Sequence, residues 1–335
     1  MKLKIGIIGL GFISQISHLE CLKKNNKVII QAACDKNFKL LKKVTKKYNI
    51  KKKYTNYNKM IRENLLDAVI LSVDRNNTEK ISEEILKKKI NLLTEKPSAL
   101  SSSFAKKLTK YAKKNNCIYL TGYMKRHDDG IKKLKEILIK KKFGPIQNIF
   151  YEHSSGDSYG KQKNYFKSKT LDQIKNTSLN KKFTNKKKKF LKFLNTHCHS
   201  INLIRYLVDD FELKKKYLNK FGEGMVVFKK DSLNIIFNNN YIKSNAWNEK
   251  IIFIFKTKII ELKVIKPFLK ESSELNIIDL KYGVRKNYKF KTWAFQNQID
   301  YFVDKIHKKS LTNVSNEYSE ASFKDIKMVE KIFSK

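Results

Sequence analysis

"KIGIIGLGFISQISHL", residues 4–19, decides how the rest of the chain is read. Its first half is a short apolar run stopped by glycine, the pattern of a buried strand. Its second half sets Ile13, Ile16 and Leu19 at helical spacing. Between them, Gly9-Leu10-Gly11-Phe12-Ile13-Ser14 reads G-x-G-x-x-S. In a strand–loop–helix setting the first glycine allows a tight turn. The second lets the backbone approach a pyrophosphate on the positive end of the helix, with Phe12 and Ile13 completing the loop. The third position asks only for a small residue, which Ser14 is. An acid belongs at the end of the next strand, to accept hydrogen bonds from both hydroxyls of an adenosine ribose. Asp35 stands there, closing "KVIIQAACD" (27–35). A carboxylate at that place repels a 2′-phosphate, so NAD is expected over NADP, with Lys36 as the opposing neighbour.

From this stretch outward, strand and helix alternate. Strands are expected at 66–73, 90–96 and 117–123, and helices at 37–48, 78–89 and 102–115. That alternation specifies a doubly wound parallel sheet, a Rossmann domain over residues 1–122. Beyond it the pattern changes. A helix at 130–141 ends near Gly144-Pro145, and apolar strands follow at 146–153, 224–229, 232–239, 249–257 and 258–265. Residues 157–190 are polar and Lys-rich, the composition of a long surface excursion. Helices are expected at 195–208, 293–308 and 317–333. Residues 123–335 thus read as an α+β domain on a large, mostly antiparallel open sheet.

The composition narrows the function classes. Lys and Arg number 73 against 31 Asp and Glu, a formal charge of +42. The lysines are spread along the chain, and the densest run, "NKKKKF" (185–190), is short. A nucleic-acid reader shows a concentrated basic face with base-reading motifs, and none is present. A codon-biased genome accounts for the excess; an anionic substrate is the functional alternative. No apolar run reaches the ~18 residues of a membrane span, and the glycine-broken N-terminus lacks the form of a signal peptide. Cys21, Cys34, Cys117 and Cys198 form no CxxC pair, which fits reduced thiols in a cytoplasmic chain and no structural zinc. Glycine is scarce, yet three of the eleven fall within the first eleven residues, and one of three prolines sits in "TEKPS" (94–98).

With the glycine loop, Glu95-Lys96-Pro97 in "INLLTEKPSAL" (90–100) resembles the Gfo/Idh/MocA oxidoreductase family. "DAVILSV" (67–73), "TGYMKRHDD" (121–129) and the C-terminal stretch from His307 extend the resemblance along nearly the whole chain. It implies NAD(P)-dependent hydride transfer at a sugar, polyol or nucleotide-sugar carbon, and a homodimer or homotetramer formed through the C-terminal sheet. The family's Asp-x-x-x-His motif maps onto Asn195-Thr-His-Cys-His199. His199 is then the general acid/base, taking the hydroxyl proton while hydride leaves the same carbon for the nicotinamide. Lys96 holds the same oxygen and offsets alkoxide charge. Glu95 and Lys96 also border the cofactor, and Arg126, Tyr123 and His153 are substrate-side candidates. His197 and His199 diverge on a helix, so they do not read as a metal pair.

Four departures from the family pattern stand out. Asn195 replaces the motif's Asp, Asn202 replaces the acid three residues after the histidine, and "KKFLKFLN" replaces a Gly-Gly pair. "SVDRNNT" (72–78) puts Asp74 and Thr78 where Pro and His are usual. They leave a second reading open, a non-catalytic cofactor-binding protein acting as regulator or scaffold.

Overall fold

The computed structural model describes residues 1–156, 164–167, 184–243, 246–308 and 311–334. Its contacts group into two compact units. One comprises Met1–Gly122 with described residues of 162–191 and 298–327; the other comprises described residues of 123–161, 192–297 and 328–335.

The first unit is a six-stranded parallel sheet. Its strands are β1 (Leu3–Ile8), β2 (Val28–Cys34), β3 (Lys52–Tyr54), β4 (Ala68–Leu71), β5 (Asn91–Thr94) and β6 (Tyr119–Thr121), ordered β3-β2-β1-β4-β5-β6. Every residue of β4 is buried, as are Ile5, Ile7 and Ile8 of β1. Strands apolar on both faces need helices on both faces. These are α1 (Leu19–Lys24, entered through a π-helical turn Ser14–His18), α2 (Phe38–Lys47), α3 (Tyr57–Glu63), α4 (Arg75–Lys87) and α5 (Ser102–Lys114). Asn37, Asn56, Asp74 and Ser101 cap α2 to α5 by accepting first-turn N–H groups. The strand order reverses between β1 and β4, the topological switch point where such sheets open a crevice at the strands' C-terminal ends. The expected parallel sheet is observed. β3 and α3 were not legible, because β3 is a three-residue edge strand reading only "KKY".

The second unit holds α6 (Asp129–Ile139) and an eight-stranded sheet. Its strands are β7 (Asn148–Ser155), β8 (Glu212–Leu218), β9 (Gly224–Lys230), β10 (Leu233–Tyr241), β11 (Trp247–Ile254), β12 (Lys258–Lys263), β13 (Glu274–Asp279) and β14 (Arg285–Tyr288). They run β14-β13-β12-β11-β7-β10-β9-β8, antiparallel except for the parallel β7–β10 pair. Alternate residues face inward, as Ile149, Tyr151 and His153 of β7 do. Helix α7 (Asn185–Val208) packs Phe193 and His197 against the inner face at Phe237. It starts ten residues before the expected 195 and absorbs the lysine run. Thr184 supplies the start: its Oγ1 accepts from Lys187 N at 3.3 Å and its carbonyl from Lys188 N at 3.0 Å. Most of the expected excursion, 157–163 and 168–183, lies outside the described residues. Helices α8 (Ala294–His307) and α9 (Leu311–Phe333) close the chain. No helix among the described residues is long and apolar enough to cross a membrane.

Candidate functional site

The glycine loop sits at the switch point. Gly9 has φ +85°, and a Cβ there would lie 2.1 Å from the Ser72 carbonyl oxygen, at the end of β4. Only glycine closes this turn. Gly11 differs: among the described residues, a Cβ there would meet nothing within 4 Å. No described residue fills the space before it, which is what a ligand backbone approaching the loop requires. Ser14 Oγ donates to the Gly9 carbonyl at 2.5 Å, the small-residue contact that seals loop to helix. Asp35 accepts from Leu10 N and Asn37 N, each at 2.8 Å. It therefore braces the loop from the end of β2, and each carboxylate oxygen keeps a lone pair for a ribose hydroxyl. Lys36 beside it is exposed. These features fit a dinucleotide: a loop without side chains, a helix N-terminus beyond it and a strand-end carboxylate.

The loop helix carries two further contacts that sequence reasoning did not find. Gln15, buried, exchanges two hydrogen bonds with the Phe166 backbone, donating at 3.0 Å and accepting at 2.8 Å. Tyr165 stands edge-on to Phe12 at 4.8 Å between ring centroids. Residues 165–166 thus lie on the glycine loop. His18, the last residue of the π-turn, is fully buried, with Nε2 2.8 Å from Glu95 Oε1. A buried imidazole needs such a partner. Glu95 follows β5 directly, its N–H bonded to Leu71 O at 2.8 Å. Lys96 is half-buried, and Pro97 and Ser98 behind it are buried. At the departure in 72–78, Asp74 caps α4 by accepting from Asn76 N at 2.9 Å, and Thr78 is buried below it.

In the second unit, Asn195 and His199 are half-buried on α7, and the Tyr123 ring meets His199 edge-on at 5.8 Å. Arg126 is buried, its Nε donating to Asn202 Oδ1 at 2.8 Å and its guanidinium 5.2 Å from the Tyr206 ring centroid. Two departures thus acquire local roles: Asn202 receives Arg126, and Asp74 starts a helix. His153 is buried beneath α7, Nδ1 2.9 Å from Ser200 Oγ. His197, two residues before His199, points into the sheet beside His153 and Phe237. Lys125 and Tyr151 both bond Glu249, and all three are buried. The sequence reading missed this ionic cluster, since Lys125 and Glu249 are 124 residues apart. All four cysteines are buried thiols.

Comparison with known proteins agrees with this fold. Residues 3–123 match the model of the Gfo/Idh/MocA family, described as an oxidoreductase family with an NAD-binding Rossmann fold. Myo-inositol 2-dehydrogenase of Thermotoga maritima is 31% identical over 134 residues, a match spanning 40% of this chain and 40% of that protein. Among solved structures, the dehydrogenase MviM of Clostridium difficile shares the fold with a TM-score of 0.77 at 18% identity, over 99% of both chains. The 3-ketoreductase KijD10 of Actinomadura kijaniata, solved with NADP and TDP-benzene, also gives 0.77, at 13% identity over 99% of this chain and 97% of that one. The family match takes in the glycine loop and the Glu-Lys-Pro segment, so residues 3–123 are similar to the Rossmann domain of the Gfo/Idh/MocA oxidoreductase family.

Proposed function

We propose that the chain is a nicotinamide-dependent oxidoreductase that transfers hydride to or from a sugar, polyol or nucleotide-sugar carbon. The glycine loop carries the reading, with Gly9 forced to be glycine, Gly11 open in front and Asp35 bracing Leu10 N. Residues 1–122 would bind the dinucleotide and 123–335 the substrate. When bound, the nicotinamide supplies the hydride acceptor or donor. Gly9, Gly11, Phe12 and Ile13 hold its pyrophosphate, Asp35 its ribose, and Glu95 and Lys96 its edge. Lys96 offsets charge on the reacting oxygen, and His199, set by Asn195 and Tyr123, moves the proton. The Asp35 carboxylate favours NAD, against the pull of Lys36 toward a 2′-phosphate.

A fluorescence titration with NADH and NADPH tests the cofactor assignment: saturable binding that prefers NADH is expected. A panel of neutral and anionic sugars then tests turnover, and the anionic members should be favoured by the positive field. His199→Ala should abolish turnover and leave NADH binding intact; unchanged turnover removes His199 from the mechanism. Asn195 and Asn202, in place of two acids, favour the alternative of a non-catalytic binding protein. NADH binding without hydride transfer to any of the panel would select it.

Self-association through the eight-stranded sheet belongs to the same reading. On its outward face Val227, Ile236, Phe150 and Ile252 form one cross-strand row, with exposure highest at Phe150, 39%. A row of apolar side chains on a sheet face is the surface that a second copy would cover. Light scattering should show a dimer or tetramer, and Phe150→Asp should return a monomer. The buried thiols accord with a cytoplasmic setting.

A further inference from the structure

His18 is the last residue of the π-turn Ser14–His18. A π-turn adds one residue to the helix, which turns the following side chains by about 100°. His18 thereby leaves the glycine-loop helix toward the end of β5. There its Nε2 lies 2.8 Å from Glu95 Oε1, while Glu95 Oε2 accepts from Lys96 N at 3.3 Å. Gly122 leaves room beside that carboxylate: a Cβ at 122 would stand 3.3 Å from Glu95 Oε1. A residue kept at 0% exposure only to fill space is ordinarily apolar. An imidazole there is justified by the carboxylate it bonds.

We propose that His18 is a positioning residue for Lys96, acting through Glu95, so that one hydrogen-bonded chain sets both the glycine-loop helix and the lysine. The proposal rests on the reading of Lys96 as the group that holds the reacting oxygen. The dinucleotide-binding element and the lysine are then coupled mechanically. Movement of the loop helix is felt at Glu95 and passes to the backbone from which Lys96 departs.

The test uses the full chain and needs no substrate. Lys96 is acetylated with trace acetic anhydride and quantified by peptide mass spectrometry, against the exposed Lys106 and Lys110. His18→Leu keeps bulk and loses the bond; it should change the relative Lys96 rate by about threefold or more, as expected for a lysine whose nearby charge has moved. His18→Gln retains a donor and should bring the rate back to within about twofold of wild type. Glu95→Gln should change the rate, and His18→Leu added to it should do nothing more, because the coupling runs through the carboxylate. A folded His18→Leu variant with wild-type Lys96 labelling overturns the proposal. So does a His18→Leu effect that survives at full size in the Glu95→Gln background. Should His18→Leu fail to fold, unchanged Lys96 labelling in Glu95→Gln overturns it. NADH titration of the wild type runs alongside: loss of binding there sinks the hydride-transfer reading and leaves the labelling result standing.

Discussion

A methyl group on Gly9 would lie 2.1 Å from the Ser72 carbonyl oxygen, whereas one on Gly11 would meet nothing within 4 Å among the described residues. The two glycines of one motif therefore do different work, and alanine separates them. Gly9→Ala should cost several kcal/mol of stability, because both a positive φ and a backbone clash oppose it. Gly11→Ala should keep the melting temperature within about 2 °C, since it meets no neighbour. It should nonetheless weaken NADH by about tenfold or more, because the methyl occupies the path of the pyrophosphate. Thermal melts and NADH titrations of the two variants check this. A Gly11→Ala protein that binds NADH normally would show that the open space belongs to something else. At this scale the sequence was informative where chemistry is local. Gly9, Gly11, Ser14 and Asp35 are read from spacing, because loop, helix and strand end lie within one supersecondary unit. His18 and Glu249 were not legible. Each takes its meaning from a partner far along the chain, Glu95 and Lys125, which only the fold brings near.

At the scale of elements, the ion pair of Lys125 with Glu249 ties the 3₁₀ turn Met124–His127 to β11. Side-chain exposures of 5% and 0% put the pair out of water, and Tyr151 shares the same carboxylate oxygen. Burial and the adjacent Glu249 charge push the Tyr151 phenol well above its usual range, so it stays a donor. Glu249→Ala takes the carboxylate from beside a buried lysine and a buried tyrosine and should cost roughly 3–5 kcal/mol. The double variant Lys125→Met/Glu249→Leu removes both charges and should recover most of that loss. Trp247 and Trp293 both lie in the second unit, so urea unfolding followed by tryptophan fluorescence reads this domain. Equal destabilisation of single and double variants would mean that shape, not charge, is at stake. Element legibility followed burial. Central strands such as β7, β10 and β11 alternate cleanly and were anticipated. β8 and β14 are the sheet's edges, and their "ELKKKYL" and "RKNY" carry the charges that keep edges from pairing with other chains. Those charges erase the alternation that would reveal a strand. Helix α7 was foreseen only from 195 because four successive lysines hid its first turns, although Phe190, Leu191, Phe193 and Leu194 already supply a buried face.

For the molecule as a whole, acid should act through two histidines. His127 and His197 are 2% and 0% exposed. Burial, aided by Lys132 and Arg126, pushes the His127 imidazole down to about 3, and burial with His153 nearby holds that of His197 well below 6.5. Both are neutral when folded and take up protons near pH 6.5 when unfolded. Their contribution is complete above that pH and is lost as the pH falls below it, down to about 3 for His127. For His127 the loss is roughly 2 kcal/mol between neutral pH and 5, and His197 acts in the same direction. Asp128 has the opposite sign: burial raises its carboxyl, which gives back stability on protonation. Asp128 stands alone against the two histidines, and the lowered carboxyls of Glu83, Glu136 and Asp279 add to the loss further down the pH scale, which leaves net acid lability. His197 isolates the effect, since neither ring nitrogen has a hydrogen-bond partner among the described residues and its neighbours include Phe193, Phe237 and Tyr241. Phenylalanine suits such surroundings. His197→Phe should be neutral or stabilising at pH 7.5, because no bond is lost. It should also flatten the decline between pH 7.5 and 5 by about one proton's worth, roughly 1.4 kcal/mol per pH unit at the steepest. Urea midpoints by tryptophan fluorescence across that range decide it. An unchanged slope in His197→Phe would place the acid sensitivity elsewhere. A large loss at pH 7.5 would show that the imidazole is bonded in solution and that its position in α7 serves more than packing.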